Sequence, residues 1–319
     1  MMKAHRLDMA AASRRGWPTG APHPVTASAT MPCTQSYSLA RVTSAALPVY
    51  DSDTRYPPVV AELRNLYTYR GLLKLLVVRD VTVRYKRSVL GLWWTLLNPL
   101  LTTAIMYLVF SQIFRFEIPG GVPFSVYLLS GVLLINFFAL ALNAVGVSLV
   151  SSAGIITKVY VPAEIFAVSA SVAAGVNFLL SLVPLLGVLL ITGVGVPWSI
   201  LLVPIPAVAM LLLVTGLGLL VATAAIRFHD TLDLVAVVVV LLGYLTPTFY
   251  PLSIVPSQYQ WVIMSNPLYS YLTVFRELAY GAPGAPWWCW LVMMMTSIGA
   301  MSLGAWTFSR RWRSLAVLL

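Results

Sequence analysis

Residues 124–148 read FSVYLLSGVLLINFFALALNAVGVS, a stretch without a single charged side chain. A helix of about 20 apolar residues crosses the hydrocarbon core of a bilayer, so this stretch predicts a transmembrane helix. Similar blocks recur along the chain of 319 residues, which is 59% hydrophobic and only 9% charged. A soluble domain carries roughly 25% charged residues. The sequence therefore predicts an all-α integral membrane protein.

Six apolar blocks have the length of a transmembrane helix. They cover residues 91–114, 124–148, 165–191, 200–226, 234–249 and 287–308. In the first block, Asn98-Pro99 is expected to kink the helix, because proline removes a backbone donor. The stretch 250–286 is too polar and too rich in proline to cross, so we expect short re-entrant helices on the outer side, between the fifth and sixth spans.

The remaining segments complete the predicted domain organisation. Residues 1–58 are rich in Ala, Ser, Thr and Pro and are expected to be a disordered cytoplasmic tail. Residues 59–88 are basic and partly apolar, which predicts an amphipathic interface helix with its basic side chains at the lipid head groups. The transmembrane domain follows over residues 89–309, and residues 310–319 are expected to form a second cytoplasmic tail.

Charge placement predicts the orientation in the membrane. Of the 20 Lys and Arg residues, 13 precede residue 88, and three crowd the end at Arg310, Arg311 and Arg313. Basic residues that flank apolar spans mark the cytoplasmic side. A multi-pass protein of the cytoplasmic membrane with both termini inside then leaves two basic residues outside, Arg115 and Arg276. The net charge of +10 is accounted for by membrane lipids, and no nucleic-acid partner is expected.

Several kinds of chemistry are missing. The chain has no Gly-Lys dipeptide, so it lacks the phosphate-binding loop of ATPases. The three histidines are isolated and the two cysteines have no metal-type spacing, so no catalytic residue, metal or cofactor is predicted. The spans hold almost no ionisable groups, whereas ion-coupled carriers place such groups within the membrane. We expect the energy for any transport to come from a partner protein. The rival classes are a membrane-embedded transferase, whose candidate carboxylates are few, and a structural membrane anchor, which the interior prolines disfavour.

Residues 79–114 carry the first motif that points to a family. The segment reads RDVTVRYKRSVLGLWWTLLNPLLTTAIMYLVFSQIF. It resembles the approach to the first span of ABC-2 type permeases, specifically the branch that exports O-antigen and teichoic acid. That branch shows an R-Y-x-x-S-x-L-G-x-x-W pattern followed by a proline. The matching residues here are Arg84, Tyr85, Ser88, Leu90, Gly91, Trp94 and Pro99.

Three later segments are similar to the same branch. They are IRFHDTLDL at 226–234, LTPTFYPLSIVP at 245–256 and NPLYSYLTVFRELAYG at 266–281. In the first, Arg227 and Asp230 are separated by two residues, whereas the family has them adjacent. The four matches occur in the family's order, and the resemblance covers about residues 60–312.

The resemblance implies a function and a set of partners. It implies a non-catalytic permease that forms a homodimer, binds two cytoplasmic ABC ATPase subunits and exports a lipid-linked polysaccharide. ATP and Mg would bind to those partner subunits. A cell-wall galactan suits the arginine-rich character of the chain. The alternative is a small-molecule, drug or lipid exporter of the same superfamily.

Four groups of residues are candidates for this function. Contacts with the ATPase are predicted for Lys158, Tyr160, Pro162, Arg227 and Asp230, the last two as a second contact or a local ion pair. Channel-lining residues on the first and fifth spans are predicted to be Asn98, Tyr107, Phe110, Tyr244, Phe249 and Tyr250. An outer gate is predicted from Tyr259, Trp261, Tyr269, Arg276 and Glu277, the last two paired with other groups at the outer rim. A lipid pyrophosphate is expected near Arg79, Arg84, Lys86 and Arg87, which could equally attract anionic lipid in general.

Overall fold

The computed structural model describes residues 66–86, 91, 93–113, 118, 121–156, 158, 161–228 and 230–315. Within these ranges, all regular secondary structure is helical. This confirms the prediction of an all-α membrane protein. The predicted N-terminal tail at 1–58, Arg87 and Tyr160 lie outside the described residues.

Ten α-helices and two short 3₁₀-helices make up the described chain. The α-helices are α1 (Arg70–Lys86), α2 (Trp93–Ile113), α3 (Phe124–Ser151), α4 (Ala153–Ile156), α5 (Glu164–Ile191), α6 (Pro204–Ala225), α7 (Asp230–Leu245), α8 (Ser257–Ser265), α9 (Pro267–Tyr280) and α10 (Trp287–Leu315). The 3₁₀-helices are Trp198–Leu202 and Leu252–Ile254.

Five segments are long and apolar enough to cross a bilayer. They are Trp93–Ser111, Phe124–Ser151, Glu164–Ile191, Trp198–Ala225 and Trp287–Trp312. They match five of the six predicted spans.

The predicted fifth span at 234–249 is a shorter helix. Helix α7 has 16 residues, or about 24 Å, against a hydrocarbon core of about 30 Å. It ends at Leu245 because a residue before proline disfavours helical backbone, and Pro247 lies two positions on. Residues 246–250 continue the chain as a series of bends. A sixth crossing, formed by α7 with these bends, stays a prediction.

Helix α3 is the centre of the core. Most of its residues from Val126 to Leu149 are buried, and it packs against α5 and α6. Aromatic rings join the helices there, as Phe137 stacks on Phe178 with ring centroids 4.5 Å apart. Helices α2 and α7 lie on the outside of this core and contact α3.

The closest helix pair is α6 and α10, which approach through glycine. A methyl group on Gly216 would overlap the backbone of Ala300, and one on Gly304 would overlap the backbone of Gly216. Small residues let transmembrane helices approach this closely, which maximises van der Waals contact where no hydrophobic effect drives association. This contact holds the last helix against the core.

Helix α1 is anchored on the bundle. Leu76 is buried among side chains of α3 and α5, including Leu149 and Phe166. The basic side chains Arg70, Lys74 and Arg79 remain exposed. The exposed side of this predicted interface helix is mixed, because Leu75 and Val78 are exposed beside the basic residues.

The segment between α7 and α10 contains the short helices α8 and α9, where the sequence predicted short helices between the fifth and sixth spans. Helix α9 is largely buried, and it contacts α3, α6 and α10 and the 3₁₀-helix Trp198–Leu202. Asn266 begins it, because its side-chain oxygen accepts a hydrogen bond from the Leu268 amide at 3.1 Å. Gly281 ends it with a φ of 73°, a left-handed conformation that glycine tolerates.

Helix α10 is longer than predicted. It continues past Phe308 to Leu315, so residues 310–315 of the predicted tail are helical.

We predict that Gly304→Ala destabilises the protein and Gly299→Ala does not. The added methyl group at Gly304 meets the Gly216 backbone, whereas the space around Gly299 is open within 4 Å. Overpacking of this kind costs about 1–3 kcal/mol. Thermal unfolding of the purified variants in detergent measures the difference. Equal unfolding temperatures for the two variants would show that the α6–α10 contact is looser than described.

Candidate functional site

Residues 246–250, which we call the bends, follow α7 and leave backbone carbonyl groups without helical partners. The hydroxyl of Tyr127 lies 2.9 Å from the Pro247 oxygen and 2.8 Å from the Tyr250 oxygen, so it can donate to either. The Asn266 amide donates to the Thr246 hydroxyl at 2.9 Å. Side chains from α3 and from the start of α9 therefore hold the residues that follow α7.

Arg276 is buried at the same point, with 7% of its surface exposed. Its Nη1 donates to the Pro247 oxygen at 3.1 Å, and its Nη2 donates to the Tyr127 oxygen at 3.2 Å. Its Nε lies 3.3 Å from the Ser130 hydroxyl, and its Cζ is 3.6 Å from the centre of the Tyr127 ring. A buried guanidinium requires such partners, because desolvation without them is costly. The hydrogen bonds of Arg276 therefore connect α9 with α3 and with the bends.

The sequence predicted that Arg276 pairs with other groups at an outer rim. Arg276 does pair with other groups, in a buried part of the structure, and its role in an outer gate stays a prediction. No ion pair between Arg276 and Glu277 is present in the described ranges. One carboxylate oxygen of Glu277 is buried without a hydrogen-bond partner. Gly131 leaves the room for Arg276, since a methyl group there would lie 3.1 Å from Nη2 and 2.7 Å from the Thr248 methyl carbon.

Aromatic rings form a continuous set beside these bends. Phe110 of α2 stacks on Phe249 with ring centroids 6.2 Å apart, and Phe124 lies 6.4 Å from Tyr107 and 6.5 Å from Phe110. Phe124 also stacks on Tyr127, whose ring is under Arg276. The structure thus brings together three predicted channel residues, Tyr107, Phe110 and Phe249, which with Phe124 and Tyr127 form what we call the aromatic cluster.

Three tyrosines line a second aromatic surface. Tyr244, Tyr250 and Tyr259 share an open groove of about 480 Å³ with side chains of α7 and α8. Tyr250 donates from its hydroxyl to the Tyr244 carbonyl at 3.2 Å. This tyrosine groove unites two predicted channel residues with one predicted gate residue.

Helices α2 and α7 expose most of their side chains. None of the residues of α7 is buried, and only 11% of the apolar part of α2 is buried. The exposed large side chains on these helices are Trp93, Trp94, Leu100, Leu101, Ile105, Tyr107, Leu108, Val109, Leu234, Val237, Val238, Val240, Leu241 and Tyr244. Lipid or another protein chain must cover these faces in a membrane.

The basic end of the molecule has two adjoining cavities of about 230 and 200 Å³. Arg84 lines both, Arg79 lines the second and Asn98 lines the first. These three predicted residues are therefore close together. Lys86 does not line either cavity.

The predicted ATPase contacts lie on exposed turns. The loop after α3 holds the short helix α4, and Lys158 beyond it is exposed. Pro162 is half-buried at the start of α5, while Arg227 and Asp230 are exposed at the corner between α6 and α7. No ion pair joins these two residues in the part of the chain that the structure describes.

The remaining predicted gate residues differ in burial. Trp261 is exposed, whereas Tyr269 stacks on Trp288 with centroids 6.0 Å apart. Within the described ranges, no group of three His, Cys, Asp or Glu side chains could hold a metal ion.

Sequence reasoning missed Tyr127, Ser130 and Asn266, which hold the bends. Their contacts join positions up to 149 residues apart, as between Tyr127 and Arg276. The usable signal was the arginine itself, because an arginine between spans, among mainly apolar neighbours, requires acceptors if it is buried.

A sequence model of the ABC-2 type transporter family matches residues 71–280. The O-antigen export system permease protein RfbA of Klebsiella pneumoniae is 30% identical over 220 residues, which cover 68% of this chain and 84% of that protein. The protein of the same name from Myxococcus xanthus has the same identity and coverage. The capsule polysaccharide export inner-membrane protein CtrC of Neisseria meningitidis is 22% identical over 249 residues, 75% of this chain and 93% of that protein.

We predict that Arg276→Lys destabilises the protein by about 2–4 kcal/mol, because one ammonium group cannot reach three acceptors and leaves carbonyl groups unpaired. Arg310→Lys is the matched control. Arg310 also lies over an aromatic ring, that of Trp306 at 4.4 Å, but it is exposed. We expect its effect to stay within about 0.5 kcal/mol. Thermal unfolding in detergent measures both effects. Equal effects would contradict the claim that the hydrogen bonds of Arg276 hold α3, α9 and the bends together.

Proposed function

Because the chain belongs to the ABC-2 type transporter family, we propose that it is the permease of an ATP-driven exporter that moves a lipid-linked polysaccharide across the cytoplasmic membrane. The observation that carries this proposal is the 30% identity to O-antigen export permeases over 84% of their length. The similarity to a capsule polysaccharide export protein supports the same class of cargo. A cell-wall galactan stays a prediction from composition.

The exposed faces of α2 and α7 support a homodimer. Both helices flank α3, so two copies that meet through these faces would enclose a path lined by α2 and α7 of each copy. The aromatic cluster lies on α2, the first residues of α3 and the bends, and the tyrosine groove lies on α7, the bends and α8. Two such copies would place aromatic rings along the path.

Aromatic rings suit a moving sugar polymer. The C–H faces of sugar rings stack on aromatic faces, and the tyrosine hydroxyls can exchange hydrogen bonds with sugar hydroxyls. Each contact is weak and similar to the next, so the polymer can slide without a deep trap. The buried hydrogen bonds of Arg276 would hold the bends, and with them Phe249 and Tyr250, in place during this movement.

An ATPase partner supplies the energy in this proposal. The sequence has no phosphate-binding loop of its own. The basic residues near α1, at Lys158 and at Arg227 favour a cytoplasmic position for these segments by the positive-inside rule. The turn with α4 and Lys158 is then available for contact with cytoplasmic ATPase subunits, two per homodimer.

We predict that Tyr107→Ala combined with Tyr244→Ala slows polymer export without unfolding the protein. Tyr107 is 41% and Tyr244 is 68% exposed, so their loss costs little packing. Removing aromatic contacts worth about 0.5–1.5 kcal/mol should lower the rate about two- to tenfold. Surface polymer in cells that carry the variant measures this. Trp287→Ala, at another exposed aromatic residue, is the control, and normal export by the double variant would refute the path.

We also predict that the purified chain alone in vesicles moves no cargo, with or without a proton or sodium gradient. Adding its ATPase and ATP should start export. Gradient-driven transport by the chain alone would overturn the proposed function.

We predict that Lys158→Glu weakens the complex with the ATPase, because an exposed cation is replaced by an anion at the proposed contact. Lys74→Glu, an equal charge change on exposed α1, is the control.

A further inference from the structure

The two adjoining cavities at the basic end form one polar recess, which we call the amide chamber. Both cavities are lined by Arg84, Ala174 and Asn177. Together they reach the roughly 300–1,000 Å³ of typical small-molecule sites. The chamber lies between α1, α2, α3 and α5, on the side of α3 where α7 contributes no lining residue. It is therefore separate from the tyrosine groove.

Three carboxamides converge on the chamber from three different helices. Asn98 belongs to α2, Asn136 to α3 and Asn177 to α5, and all line the same cavity of about 230 Å³. Asn136 lies about 18 Å along α3, and Asn177 about 20 Å along α5, near the middle of both spanning helices. Polar groups at such depth are costly and mark functional positions.

Amides suit a neutral ligand rich in hydroxyl groups. A carboxamide carries two donors and an acceptor oxygen, so it can bind a hydroxyl in either direction even where one group has a partner, as the Asn98 oxygen has in Thr102 at 3.4 Å. The adjoining cavity adds the serine hydroxyls of Ser148, Ser151 and Ser152. The aromatic side chains of Phe137 and Phe178 also line the amide cavity and offer apolar contact to ring C–H groups.

The net positive charge of the chamber lining comes from Arg84. Arg79 also lines it, but Asp80 binds Arg79 at 2.8 Å and neutralises it. Arg84 forms no ion pair within the described chain and is exposed at the mouth. A guanidinium in this position favours a phosphate group, which it can bind through two N–H donors.

The rim of the chamber is apolar. Trp94 and Leu140 line it with 55% and 51% of their surfaces exposed. A soluble ligand would gain nothing from these side chains, whereas a hydrocarbon chain attached to the phosphate would cover them. The lining therefore combines exposed apolar side chains, one cation, Arg84, and three carboxamides.

We propose that the amide chamber binds the sugar diphosphate head of a lipid-linked saccharide before transport. The amides of Asn98, Asn136 and Asn177 bind the first sugar, Arg84 binds the diphosphate, and the lipid chain leaves along Trp94 and Leu140. The inference rests on the proposed function, since it assigns that exporter a site for the head of its substrate beside the path.

The test measures binding to the full-length chain in phosphatidylcholine nanodiscs by native mass spectrometry. The probes are a polyprenyl diphosphate that carries one N-acetylhexosamine, the same lipid without sugar, phosphatidylglycerol, and a soluble nucleoside diphosphate sugar. The variants are Asn136→Leu, Asn98→Leu and Arg84→Gln. Asn143→Leu is the matched control, because Asn143 is on α3 but lines a different cavity toward α6 and α7.

We expect the wild type to bind the sugar-bearing lipid about tenfold more tightly than the sugar-free lipid, from a few added hydrogen bonds. Asn136→Leu and Asn98→Leu should remove this preference. Arg84→Gln should weaken both lipid diphosphates alike, and Asn143→Leu should change neither. Asn98 is exposed, so its variant should fold even if Asn136→Leu does not.

Several results would overturn the site. The asparagine variants could keep the sugar preference, or the control could lose it equally. Asn136→Leu could lower the unfolding temperature without changing the preference, which would make the amides contacts between helices only. Phosphatidylglycerol or the soluble sugar could bind as tightly as the sugar-bearing lipid. If ATPase-driven export stays intact in those cases, the site is refuted but the proposed function stands. If the wild-type chain exports no saccharide together with its ATPase, both the site and the proposed function are refuted.

Discussion

The carbonyl oxygens of Pro247 and Tyr250 lie where α7 has ended, in a part of the molecule that the surrounding helices bury. Backbone groups without partners are tolerated at membrane depth only where protein or a cavity satisfies them. Here Tyr127 and Arg276 satisfy them, through a hydroxyl and a guanidinium that reach from α3 and α9. Since the same guanidinium also binds the Tyr127 carbonyl, the bends, α3 and α9 are held as one unit.

This unit determines where the aromatic side chains can be. Phe249 and Tyr250 belong to the bends, so the contacts of Pro247 and Tyr250 fix their position relative to α3. Phe249 then meets Phe110 of α2, while Tyr250 joins Tyr244 and Tyr259 in the tyrosine groove. A buried arginine outside the proposed polymer path thus supports the aromatic surface that the path would use.

The rest of the bundle divides into a tightly packed part and an exposed part. Helices α3, α5, α6 and α9 carry most of the buried side chains, and glycine brings the α6 and α10 backbones into contact. Helices α2 and α7 leave most of their surface uncovered. In the proposed homodimer, the packed part would keep its shape while the exposed helices meet the second copy, lipid and cargo.

Composition and hydropathy determined the membrane class and five spans, because the thickness of a bilayer imposes a length and an apolar character that are visible in any single segment. The motifs around Arg84, Leu245 and Asn266 indicated the family before any contact was known. Only the tertiary structure placed Arg276 inside the protein and gathered Asn98, Asn136 and Asn177 around one chamber. Their partners lie on helices far apart in sequence, and a local pattern of residues carries no record of which distant acceptor a side chain meets.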